Sequence, residues 1–83
     1  MQPARGTIVI SLAGRDKDKY LAVISADEKT LYLANGKLRS IVSPKKKNIK
    51  HVSITGTVLD EEMLLYDKRL RNAIKEVFRS DSR

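Results

Sequence analysis

The chain of 83 residues contains no cysteine and no tryptophan, and its aromatic side chains are three tyrosines and one phenylalanine. Without cysteine, disulfides and thiolate metal sites are excluded, which fits a reducing cytosol. No apolar run approaches the ~20 residues needed to span a bilayer. The first residues, MQPARG, also lack the apolar run of a signal peptide. We therefore expect a cytoplasmic protein that forms one small domain.

Motifs for catalysis and metal binding are also missing. His51 is the only histidine, and neither a P-loop nor a Gly-x-Gly-x-x-Gly stretch occurs. Asp16 and Asp18 lack the third acid, the glycine and the distal glutamate of a calcium loop, so we interpret them as turn residues. We expect no enzyme activity, no metal, no cofactor and no small-molecule substrate.

Positive charge is abundant and unevenly distributed. The net charge is +7, and residues 1–51 carry eleven Lys/Arg against four Asp/Glu, whereas residues 52–83 carry six of each. The segment 37–51, KLRSIVSPKKKNIKH, contains six basic residues and no acid. A one-sided positive field suits a polyanion, because each neutralised phosphate releases condensed counterions. An anionic membrane surface feels the same field, but this segment lacks amphipathic helical spacing.

Short apolar runs separated by turns predict five strands. We place them at 7–13, 19–26, 30–34, 37–42 and 51–55. Leu21 to Ile24 form an unbroken apolar run, which indicates a strand buried on both faces. Asn35-Gly36 is a strong signal for a two-residue hairpin loop. That hairpin would place Leu33 opposite Leu38 in the core, with Tyr32 beside Arg39 outside. The two could stack on a base, but we favour the simpler interpretation that Tyr32 covers a partly exposed strand.

Pro44 cannot donate to a ladder hydrogen bond, so we expect the chain to leave the sheet there and Lys45 to Asn48 to form a loop. Five short strands with tight turns favour a small barrel. After Asp60, a candidate N-cap, apolar residues recur at helical spacing, which predicts an amphipathic helix from Glu61 to about Arg79. Its apolar face comprises Met63, Tyr66, Leu70, Ile74 and Val77.

The stretch GTIVISLAGRDKDKYLAVISA at 6–26 resembles the KOW motif, a strand-turn-strand unit of ribosomal proteins and transcription elongation factors. Residues 6–52 as a whole resemble short bacterial KOW-domain proteins related to large-subunit ribosomal proteins of archaea and eukaryotes. The resemblance implies an SH3-like barrel that binds RNA or the ribosome without catalysis. One residue departs from the pattern: Asp18 stands where glycine is usual, and aspartate tolerates the left-handed region but adds negative charge.

These observations predict a mainly β protein, with a five-stranded SH3-like barrel of the KOW type in residues 1–56 and a helix within 57–83. We expect it to bind RNA, most simply ribosomal RNA, through phosphate contacts from the basic loop. The candidate RNA-binding residues are Arg15, Lys17, Lys19, Lys37, Arg39, Lys45, Lys46, Lys47, Lys50 and His51.

Two alternatives concern the partner and the helix. A protein-interaction module, docking on a ribosomal or transcription-complex protein, would use an exposed apolar stripe of the helix. The helix also carries a basic row, Lys68, Arg71, Lys75 and Arg79. We interpret this row as a solvated face because Asp67 and Glu76 are interspersed with it.

Overall fold

The computed structural model describes residues 2–81 as one five-stranded antiparallel sheet followed by a helix. The strands are β1 Thr7–Ser11, β2 Tyr20–Ala26, β3 Thr30–Ala34, β4 Lys45–Asn48 and β5 Val52–Val58, and the helix is α1 Asp67–Asp81. Two 3₁₀ turns, Ile49–His51 and Glu61–Leu64, join these elements. Residue 1 and residues 82–83 of the predicted ranges lie outside the described residues. The predicted class, mainly β with a C-terminal helix, is confirmed.

Strand order explains how the sheet curls. The order is β4-β3-β2-β1-β5, so β4 and β5 lie at opposite edges of the sheet. Only the 3₁₀ turn Ile49–His51 connects those two edges. Three residues cannot reach across a flat sheet of five strands, since neighbouring strands lie about 4.8 Å apart. The sheet therefore bends until its edges meet at this corner, which gives it the shape of a small barrel.

Two apolar clusters bury the two faces of the sheet. The inner cluster comprises Val9, Leu21, Val23, Leu31, Leu33 and Val52. The outer cluster lies between the sheet and the helical segments and comprises Ile8, Ala22, Ala34, Leu64, Leu70 and Ile74. Successive residues of β2 belong to opposite clusters, because side chains alternate along a strand. This arrangement confirms the prediction that β2 is buried on both faces.

The predicted hairpin at Asn35-Gly36 is wrong. The backbone N–H groups of Asn35 and Gly36 both donate to the carbonyl of Arg39, and the Asn35 side chain accepts from the N–H groups of Lys37 and Arg39. A compact loop results, and residues 37–42 are not a strand. Leu38 is 68% exposed and does not enter the core. The asparagine side chain takes up N–H groups that a hairpin ladder would have paired.

The true partner of β3 is β4, which contains the lysine run predicted as a loop. Leu31 pairs with Lys47 and Leu33 pairs with Lys45. That prediction is wrong because Pro44 precedes an edge strand instead of ending a central one. Proline is compatible with this position, since the first residue of an edge strand needs no ladder N–H.

The helical region begins where expected but is divided in two. Asp60 precedes the 3₁₀ turn Glu61–Leu64 without a side-chain capping bond, and the α-helix starts only at Asp67. Leu70 and Ile74 are buried, as the apolar stripe predicted. Tyr66 is 62% exposed and lies 5.5 Å from the guanidinium of Arg69, so its predicted packing role is wrong.

Candidate nucleic-acid interface

The lysine run lies on β4, which we call the lysine strand, and strand geometry divides it between two faces. Lys45 and Lys47 lie opposite the buried residues Leu33 and Leu31, so their side chains lie on the inner face at the rim of the barrel. Both lysines are half-buried, whereas Lys46, opposite Tyr32, is exposed on the outer face. The three ammonium groups therefore do not form one patch.

Lys47 is held by the turn between β1 and β2. Its Nζ donates to the carbonyl oxygen of Ala13 at 2.7 Å. Arg15 and Lys17 lie in the same turn and are exposed. Lys47 therefore ties the lysine strand to the turn between β1 and β2, and one of the three N–H donors of its ammonium group is already used.

The remaining predicted residues lie on three further elements. Lys50 and His51 are exposed on the 3₁₀ turn at the barrel corner, and the Lys50 N–H donates to the Asn48 side chain. Arg39 forms an ion pair with the buried carboxylate of Asp16, at 3.1 Å from Nη2 to Oδ2. This ion pair connects the loop between β3 and β4 to the turn between β1 and β2. Lys19 and Lys37 lie at a groove against the helix.

That groove collects basic residues from three distant parts of the sequence. It lies between the start of β2, the loop after β3 and α1, and its volume is about 500 Å³. We call it the basic groove. Its lining includes five basic side chains, two aromatic rings and one acid: Lys19, Lys37, Arg71, Lys75, Arg79, Tyr20, Phe78 and Asp18.

Glycine at position 36 sets one wall of the basic groove. Gly36 has φ of +76°, and a Cβ there would meet the carbonyl oxygen of Asp67 and approach the backbone nitrogen of Arg71 to 2.8 Å. Only glycine combines this conformation with such close contact to a helix backbone. The loop therefore lies directly on α1, which brings Lys37 beside Arg71.

The first residue of α1 holds the same loop. The Asp67 carboxylate accepts hydrogen bonds from the Ser40 hydroxyl and the Ile41 N–H, both at 2.8 Å. These hydrogen bonds also occupy the Asp67 carboxylate, one of the two acids on which the interpretation of the basic row as a solvated face depends. Lys68, by contrast, is not among the side chains that line the groove.

The opposite wall is fixed by the turn between β1 and β2. Arg39 bonds Asp16 through both Nε and Nη2, and the Asp16 carbonyl accepts from the Lys19 N–H at 2.9 Å. Asp18 adopts φ of 70° and donates its N–H to the Ser11 carbonyl. Asp18 thus adopts the left-handed conformation that aspartate tolerates.

Charge in the basic groove is strongly unbalanced. Arg71, Lys75 and Arg79 recur every fourth residue and therefore share one side of α1. Glu76 approaches Arg79 at 3.4 Å, but both side chains are about three-quarters exposed, so the pair is weak. Asp18 is the only acid among the lining residues. Five cations around a concave surface favour an anionic ligand.

Two aromatic rings lie among these cations. Tyr20 and Phe78 form an edge-to-face pair with ring centroids 5.3 Å apart and planes at 84°. Burial raises the pKa of the Tyr20 hydroxyl above its usual value, and the hydrogen bond and charge of Asp81 raise it further. Phe78 does not belong to the apolar helix face predicted from the sequence.

The predicted pairing of Tyr32 with Arg39 does not form. The Tyr32 hydroxyl donates to the Asp27 carboxylate at 3.2 Å, while Arg39 bonds Asp16. The hydrogen bond to Asp27 and the charge of that carboxylate raise the pKa of Tyr32. A stacking platform built from this pair is therefore excluded.

No protein-family model matches the chain, and no curated protein matches it. Within residues 2–81, no helix is long and apolar enough to cross a membrane. The same residues contain no group of three or more His, Cys, Asp or Glu side chains suited to hold a metal ion.

Proposed function

We propose that this chain is a non-catalytic RNA-binding protein, associated with the ribosome through ribosomal RNA. The observation that carries the proposal is the basic groove, whose lining includes five cationic side chains and one acid, with a second acid, Asp81, beside Tyr20. When such a surface binds RNA, its cations displace the counterions condensed on the RNA phosphates, and this release supplies most of the sequence-independent affinity.

Preorganisation supports the proposal. The groove walls are held by the Gly36 contact with α1, the Asp67 bonds to the loop and the Arg39–Asp16 ion pair. Rigid walls lower the entropy that must be lost when a ligand binds. Exposed cations elsewhere on the barrel, including Lys46 and Lys50, widen the positive field and add phosphate contacts.

Titration with a labelled structured RNA at several salt concentrations tests this function. If about five cations contact phosphates, log K against log salt should have a slope of roughly −3.5 to −4.5. A peptide nucleic acid of the same sequence, which has bases but no phosphates, is the matched control and should not bind. Affinity that does not change with salt would contradict the phosphate mechanism.

Exposed apolar residues favour one alternative, a protein-interaction module that docks on a ribosomal or transcription-complex protein. Val42 is 91% exposed and Leu38 is 68% exposed, both in the loop between β3 and β4. A Leu38→Ser, Val42→Ser double variant separates the two functions. Under the RNA proposal the variant keeps its RNA affinity and its association with ribosomes. Under the alternative it loses association with ribosomal or transcription complexes.

A further inference from the structure

We infer that the basic groove binds a single-stranded segment of RNA, with one unpaired base stacked on Phe78. This inference rests on the proposed RNA binding and specifies which form of RNA the groove accepts. It differs from phosphate neutralisation alone because it assigns a contact to a base.

Phe78 is placed for contact with a ligand more than for support of the core. Leu70 and Ile74, on the same helix, are buried, whereas Phe78 is 52% exposed and lines the basic groove. A large exposed ring rimmed by cations offers a base an apolar face next to partners for its phosphates. Single-strand binding surfaces combine these two features.

Tyr20 fixes how the ring is presented. Its edge-to-face contact with Phe78 restrains the orientation of both rings, and such a contact covers at most one face of Phe78. Tyr20 packs against the outer cluster and belongs to β2, whose next four residues lie in or against the two clusters. The exposed ring is therefore supported by the rigid barrel, which reduces the entropy lost on stacking.

The size of the groove and its charge spacing agree with a single strand. A volume of about 500 Å³ lies within the roughly 300–1,000 Å³ of small-ligand pockets, so it suits about one or two nucleotides. Arg71, Lys75 and Arg79 follow one another at intervals of about 6 Å along the helix. Lys19 and Lys37 line the same groove from the barrel side.

The test compares the full-length protein with Phe78→Leu, which keeps an apolar side chain but removes the ring, and with Phe78→Tyr, which keeps it. We expect Phe78→Leu to weaken binding of a short single-stranded RNA about 5- to 100-fold. Phe78→Tyr should bind within about twofold of the wild type, and a blunt RNA duplex should bind all three proteins equally. Thermal melting establishes that each variant is folded.

Inorganic polyphosphate is the matched control ligand, because it has phosphates without bases. The wild type and Phe78→Leu should bind it equally. If Phe78→Leu bound single-stranded RNA as the wild type does, or lost polyphosphate affinity to the same extent, base stacking would be overturned while RNA binding stood. If the wild type bound neither RNA form, the proposed function itself would fail.

Discussion

The lysine strand and helix α1 each carry a cluster of basic residues, yet the backbone distributes them in opposite ways. On β4, three consecutive lysines alternate between the barrel rim and the outer face, and Lys47 is held by Ala13. On α1, three cations spaced by four residues share one side and meet Lys19 and Lys37 across a groove. The three consecutive lysines are therefore divided between two faces, whereas the three spaced cations of α1 lie together on one side.

The period of the backbone decides where charge accumulates. Consecutive residues of a strand point to opposite faces, whereas residues four apart on a helix lie together. An acidic residue lowers the positive charge of a surface only where its carboxylate faces that surface and is not already paired. Asp67 lies within the helical row, but it accepts hydrogen bonds from the loop at Ser40 and Ile41.

Loss of helix packing should have the largest effect, because the groove exists only while α1 lies on the barrel. Leu70 is fully buried, so Leu70→Ala should lower the free energy of unfolding by about 2 to 5 kcal/mol. Leu65→Ala, at a position 55% exposed, is the matched control and should change it by less than about 1 kcal/mol. Urea denaturation measures both. Equal effects would mean that α1 is not anchored by its apolar face.

Gly36→Ala tests the contact that brings Lys37 to the helix. The positive φ and the close approach to the α1 backbone should together cost about 1 to 3 kcal/mol. A methyl group at Gly56 would meet no atom within 4 Å, and φ there is not positive, so Gly56→Ala should be neutral or slightly stabilising. Thermal melting compares the two variants. If they melted alike, the loop would not be seated on α1.

Charge removal compares the two regions directly. Replacing Arg71, Lys75 and Arg79 with alanine should weaken binding of single-stranded RNA about 10- to 100-fold near physiological salt, because three phosphate contacts are lost. Replacing Lys45, Lys46 and Lys47 should weaken it by less than about fivefold, because Lys46 alone of the three is exposed. Circular dichroism confirms folding, and a larger loss in the strand variant would reverse the assignment.

The smallest effect concerns ionisation of one tyrosine beside each region. The pKa of Tyr20 is raised by burial and by Asp81, and that of Tyr32 is raised by Asp27. A phenol whose pKa is raised by folding ionises at a lower pH in the unfolded state than in the folded state. Its contribution to the free energy of unfolding is therefore fully present below the unfolded pKa, near 10.0, and is lost as the pH rises through the folded pKa. Ultraviolet titration should show that Asp27→Asn lowers the pKa of Tyr32 without changing that of Tyr20.

Local patterns predicted much of the fold. The alternation in β1, the unbroken run of β2 and the stripe containing Leu70 and Ile74 each depend on residues within one element. Local signals failed at Asn35-Gly36, because the contact that requires Gly36 is with Asp67, far along the chain. A dipeptide preference contains no information about which helix will later lie against it.

The candidate site was less predictable for the same reason. Lys19 and Lys37 were identified by their charge, but their companions on α1 were interpreted as a solvated face. Neither the division of the lysine run nor the position of Phe78 follows from composition. Both depend on the pairing of β3 with β4 and on the packing of α1, which are long-range properties of the fold.

A nuclear magnetic resonance titration of the isotopically labelled full chain with a short single-stranded RNA at fixed salt tests most directly whether the basic groove is the binding surface. We expect the largest amide shift changes around the groove, at Lys19, Lys37, Arg71, Lys75 and Phe78, with smaller changes along the lysine strand. Shift changes confined to residues 45–51, with α1 unaffected, would contradict this assignment.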